Sequence, residues 1–210
     1  MTSRTAPQRR RLGTLWALIA VFALPPVAAW FFYLNPEYLP TARSNRGELI
    51  HPPVDLPTGA SLRSPDGLPF PADVLSGRWT LVVLIQSPCI DSCEGKLRDI
   101  RQVRLALGES SLSIERLLLS TGRGGPVGTE LPEDLAGTRV ALLEESAGRA
   151  LDGELGAPDG DEPRIYILDP MGRLMMRYAP DAPAEDILKD MGRLLKGSKN
   201  WIKGAQYGHQ

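Results

Sequence analysis

Thr80-Leu81-Val82-Val83-Leu84-Ile85-Gln86-Ser87-Pro88-Cys89-Ile90-Asp91-Ser92-Cys93 is the stretch on which the reading of this chain turns. Residues 80–86 are a continuous apolar, β-branched run too short for a helix. That is the pattern of a strand buried on both faces, and it implies a parallel sheet covered by helices. Residues 94–107 (EGKLRDIRQVRLAL) follow, with Leu97, Ile100, Val103 and Leu107 at spacings of three and four, so an amphipathic helix is expected, ended by Gly108. The cysteines therefore fall where a strand hands over to a helix start, and the unpaired amides and helix dipole there favour a thiolate, most of all at Cys89. Cysteines four apart on a helix bring their Cα atoms to roughly 6 Å, within reach of a disulfide. Two such thiolates also suit a soft ion such as Cu(I). The plainer alternatives are two inert buried thiols or a disulfide that only closes a loop of about five residues. So short a loop restricts the unfolded chain little, which weighs against a purely structural bridge.

Upstream, Leu12 to Leu34 (LGTLWALIAVFALPPVAAWFFYL) contains no charged residue. At 1.5 Å per residue, its length of about 23 residues is enough to cross a hydrocarbon core of roughly 30 Å. Arg9, Arg10 and Arg11 precede it, so residues 1–11 are expected to stay cytoplasmic, with everything beyond the 12–34 helix exported. Trp30, Phe31, Phe32 and Tyr33 would lie at the outer interface, and Pro25-Pro26 should bend the helix. A cleaved signal peptide, cut before Trp30, is the competing reading, and it exports the same domain. Residues 35–60 are rich in proline without apolar periodicity and read as a linker.

Downstream, the expected domain covers residues 61–196. Pro65-Asp66-Gly67 predicts a turn in an entry hairpin, and apolar runs at 114–119, 140–143 and 165–168 read as further strands. Pro170-Met171-Gly172 reads as a turn to a partner strand at 174–178, and residues 183–195 as a closing helix. Strand, helix, strand, strand, hairpin, helix is thioredoxin-like order: an α/β fold with a central mixed sheet flanked by helices, behind an N-terminal transmembrane helix. Residues 197–210 are expected to be a poorly ordered or docking tail.

The anchor, the segment Thr80 to Leu97 with Cys89, Asp91, Cys93 and Leu97 in register, and Tyr166-Ile167-Leu168-Asp169-Pro170-Met171-Gly172-Arg173 together resemble the Sco/SenC family of cytochrome c oxidase copper-assembly proteins. The resemblance implies a bacterial inner-membrane protein with a periplasmic thioredoxin-like domain. Its partner would be the oxidase subunit carrying the copper site, matured through Cys89 and Cys93 by thiol–disulfide exchange or by Cu(I) delivery. It also implies a third copper ligand, a histidine shortly before the Tyr166 strand, but residues 158–164 here read PDGDEPR. Asp161 is a hard carboxylate facing a soft ion, and the remaining histidines, His51 and His209, read as solvated residues. Met171, Met175 and Met176 read as packing residues.

The missing histidine shifts the expectation toward redox chemistry, in which Cys89 attacks and Cys93 resolves. Pro163 stands where thioredoxin-like oxidoreductases keep a cis proline beside their cysteines, so it is a candidate for that role; the alternative is a trans proline that merely opens a strand. Asp91 is a candidate for tuning the thiols, with a capping or solvated role as the default.

Composition limits the other classes. With 24 basic and 25 acidic residues interspersed over 210, there is no basic stripe for nucleic acid. The loop Thr121-Gly122-Arg123-Gly124-Gly125 lacks the ending of a phosphate-binding loop, and Glu133-Asp134 and Glu144-Glu145 read as solvated surface. A different class remains open: a non-catalytic scaffold for a respiratory membrane complex, holding a resting disulfide that is inert to mild reductants.

Overall fold

The computed structural model describes residues 8–35, 38, 45–86, 91–121, 131–156 and 162–207. It divides into two compact units, Met1–Ser44 and Asn45–Gln210. In the first unit a helix, α1 (Gln8–Leu34), runs through Pro25 and Pro26. Its segment Gly13–Leu34, with mean hydropathy 2.0, is long and apolar enough to cross a membrane. The side-chain amide of Asn35 donates to the carbonyl of Phe31 at 2.8 Å and satisfies one of the acceptors left at the helix end.

The second unit is a seven-stranded mixed sheet in the order β1-β7-β6-β3-β4-β5-β2. Its strands are β1 (Glu48–Asp55), β2 (Leu62–Arg63), β3 (Trp79–Ile85), β4 (Ile114–Ser120), β5 (Arg139–Leu143), β6 (Arg164–Leu168) and β7 (Arg173–Arg177). Strands β3, β4 and β5 are parallel neighbours, and β6 runs antiparallel to β3. The central strand β3 is buried along Thr80–Ile85, as its unbroken apolar run predicts, because both faces are covered. On one face Leu81, Val83 and Ile85 pack with Cys93, Leu97, Ile100 and Val103 of α2 (Asp91–Ala106) and with Ile187, Met191 and Leu195 of α4 (Ala184–Tyr207). On the other, Val82 and Leu84 pack with Tyr166, Val54, and Leu151 and Leu155 at the end of α3 (Glu145–Glu154).

Three elements depart from expectation. Residues 48–55, expected within a linker, form the edge strand β1. Pro52 and Pro53 fit there because an edge strand leaves one row of amides without a ladder partner, and the register shifts between Leu49 and Val54 where the prolines lie. Helix α3 was not anticipated: ESAGRALDGE offers few apolar positions and two glycines. Gly148 is there because a Cβ at that position would lie 2.3 Å from the carbonyl oxygen of Thr121, so only glycine permits the approach. Residues 197–207, within the stretch expected to be a poorly ordered or docking tail, continue α4 without a break to Tyr207, with no proline to interrupt it.

Where the chain enters this unit it is gripped. The buried Asp190 carboxylate accepts the backbone amides of Arg46 and Gly47, each at 2.8 Å, and the Tyr178 hydroxyl at 3.2 Å. A side chain at Gly47 would collide with Met176 and Tyr178 at under 3 Å. Registers place the entry end of β1 (Glu48, opposite Arg177) at the same end of the sheet as Arg164, which pairs with Leu84 near the end of β3.

Candidate functional site

Strand β3 ends at Ile85 and α2 begins at Asp91. Residues 87–90, including Cys89, lie outside the described residues. Cys93 is the third residue of α2, so its amide belongs to the first turn, where donors have no helical acceptor. It is 1% exposed, set among Ile85, Leu97 and Leu135 in the apolar layer beneath the helix. Cys93 is disulfide-bonded, and the chain holds only two cysteines.

The local electrostatics are mixed. The helix start favours a thiolate, but Asp91 and Glu94 put two carboxylates in the same turn. Glu94 is balanced by Arg98 at 2.9 Å, which also reaches Asp134 at 3.0 Å. Asp91 is exposed and lies inside the helix rather than at its cap, so its charge acts on the site only through partly solvated space.

Neighbouring strands close the site from both sides. Ser120 pairs with Ile85, and by strand alternation it stands on the face that carries Cys93; it is buried, and sequence reading gave no sign of it. On the other side, Pro163 is buried and falls one position beyond the Arg164–Leu84 pair, opposite Ile85. Of the two readings left open for Pro163, the structure has the trans proline that opens a strand: among the described residues the cis peptide is His51–Pro52, and Glu162–Pro163 is trans. A trans proline that opens a strand needs no special geometry, because its missing amide falls before the ladder begins.

The donor set for copper stays short. Residues 157–161, with Asp161, and His209 lie outside the described residues. His51 is exposed on β1, Met171 is 65% exposed in the β6–β7 turn, and Met176 is buried beside Tyr178. Among the described residues no group of three or more His, Cys, Asp or Glu is placed to hold a metal. Two thiols fit Cu(I) in softness but supply fewer donors than the three-ligand set the resemblance implies.

A mixed sheet with a buried cysteine in the first turn of the helix that follows its first central parallel strand defines a thioredoxin-like protein. The chain belongs to the family of transmembrane-like, thioredoxin-like C-terminal domains, whose family model matches residues 79–198. No curated protein sequence matches it. Among solved structures, apo Sco1 from Thermus thermophilus is similar at 16% identity and a TM-score of 0.53, over 74% of this chain and 99% of that one. Copper-bound yeast Sco1 is similar at 12% identity and a TM-score of 0.51, over 74% and 95%. Copper-bound ScoI from Arabidopsis thaliana is similar at 13% identity and a TM-score of 0.51, over 70% and 99%. At these identities the likeness is one of fold.

Proposed function

We propose that this chain is a membrane-anchored thiol–disulfide factor that matures the copper site of cytochrome c oxidase through Cys89 and Cys93. The observation that carries the redox reading is the disulfide at Cys93, in the first turn of α2 at the end of β3. In the reduced protein the Cys89 thiolate attacks a client disulfide, forming a mixed disulfide and releasing one client thiolate. Cys93 then attacks the Cys89 sulfur, which closes the intramolecular disulfide and frees the second client thiol. Client and factor exchange two electrons, and an exported dithiol reductant resets the pair. Burial suits Cys93 to the second step, since a 1% exposed sulfur meets the neighbouring sulfur more readily than an outside one. The oxidase as client rests on the resemblance of residues 89–97 and 166–173 to the Sco/SenC family; Cu(I) as cargo between the two thiols is the second reading, favoured by their softness.

The test uses the full chain in detergent. With an oxidised model peptide, Cys93→Ser should accumulate a mixed disulfide at Cys89, while Cys89→Ser should form at least tenfold less. Equal trapping by both variants would remove the assigned roles, and no exchange at glutathione-range potentials would favour the scaffold. Anaerobic Cu(I) titration of the reduced chain against a competing chelator separates the cargo reading: tight one-to-one binding lost in both variants is its signature.

A further inference from the structure

Arginine 116 is 5% exposed in the middle of β4. Alternation along the strand turns it toward α2, with Ile114 and Leu118, while Glu115 and Leu117 face the other way. Its Nη2 donates to the carbonyl of Ala136 at 2.7 Å, but its Nε and Nη1 have no partner. Helix α2 brings two more guanidinium groups close. Arg104 donates through Nε to the carbonyl of Ile114 at 2.8 Å, and both Arg104 and Arg101 repel the Arg116 charge. Burial, then these two arginines, lowers the Arg116 pKa from its ordinary value against a smaller opposing pull from Glu115, yet a guanidinium does not give up its proton in a protein.

Elsewhere the chain pairs its arginines carefully. Arg98, one turn earlier on α2, holds Glu94 and Asp134. Glu115, the carboxylate nearest in sequence to Arg116, is shared between Arg78 and Arg139. Among the described residues no carboxylate lies within ion-pair distance of Arg101, Arg104 or Arg116. Arg116 is thus a buried cation beside two half-buried arginines of α2 that repel it, its acceptor among the described residues is a neutral carbonyl, and a buried charge without a close counter-charge is costly.

We propose that α2, β4 and the Ala136-Gly137 turn form a binding site for an oxyanion of the phosphate class, held by Arg101, Arg104 and Arg116. Planar guanidinium forks match the oxygens of such an ion in geometry and charge. Gly137 has φ 80°, and a Cβ there would sit 3.3 Å from the Arg116 Nη2, so the turn lies directly over the guanidinium, and the anion takes over or joins the place of the Ala136 carbonyl. The site lies toward the C-terminal end of α2, away from the helix start that carries Cys93, so it stands or falls independently of the thiol chemistry.

The experiment is thermal unfolding of the full chain in phospholipid-free detergent, in sodium phosphate and in sodium chloride of matched ionic strength, with equilibrium dialysis of labelled inorganic phosphate. Phosphate should raise the unfolding temperature saturably above chloride, bind one ion per chain, and bind at least tenfold more weakly to Arg116→Met. Arg101→Gln, at a half-buried position that makes no structural hydrogen bond, should show the same loss and keeps the test decisive where Arg116→Met does not fold. Thiol trapping should be unchanged in the Arg101 variant. An equal rise in chloride means charge screening only and overturns the proposal, as does full phosphate binding by Arg101→Gln. Repeating the scan without phosphate, in micelles carrying phosphatidylglycerol, distinguishes a lipid headgroup from a free ion as the source.

Discussion

At the scale of single residues, close approaches decide more than charges do. Gly148→Ala forces a methyl group against the Thr121 carbonyl at 2.3 Å, and such overpacking of a fitted contact costs about 1–3 kcal/mol. A lower urea midpoint with an unchanged slope would show it; an unchanged midpoint would mean that α3 can shift freely. Tyr178 makes the second prediction. Burial first, and the Asp190 charge second, push its phenol well above the ordinary range. A raised folded-state pKa contributes stability below the unfolded value of about 10 and loses it as pH rises further. Wild-type stability should therefore fall steadily as pH rises above about 10, and Tyr178→Phe should make that fall less steep in denaturant titrations, the buried Tyr166 phenol accounting for part of what remains. The cysteine pair was legible because spacing and local pattern are written in the sequence. Ser120 and Arg116 were not, because what distinguishes them is a neighbour on another strand or helix.

Among the elements, those with a strong period were read correctly and those shaped by their surroundings were not. Strand β3 and helix α2 announce themselves through an unbroken apolar run and a three-four spacing. Helix α3 hid behind the glycine that allows it to pack, and β1 hid behind prolines that only an edge position tolerates. Edge strands still contribute: β1 sets Val54 into the core and pairs with β7 at both ends. A fragment of residues 45–210 should keep the far-ultraviolet dichroism and cooperative melting of the full domain. A fragment beginning at residue 56 loses β1 and the Asp190 partners and bares the edge of β7, so it should melt earlier and elute partly as aggregate. Identical melting of the two fragments would show that β1 is dispensable.

Across the whole molecule, a unit whose helix carries a 22-residue apolar segment and a thioredoxin-like unit are two separately compact parts. Their sequence signatures were separable because each obeys its own rule, continuous apolarity in one and alternating strand and helix periods in the other. The boundary between them was harder to place, since proline-rich sequence describes a linker and an edge strand equally well. The Asp190 clamp on Arg46 and Gly47 gives that boundary a mechanical meaning. Any tension arriving along the N-terminal chain meets this carboxylate on α4 before it reaches the first rung of β1. Edge strands yield most easily when peeled from one end, rung by rung, and the clamp sits at the end where peeling would start. Its hydrogen bonds act as strain relief, routing a tug on the tether into the α4 layer of the core and sparing the end of the sheet, three strands from β3, the strand that leads into the helix carrying Cys93.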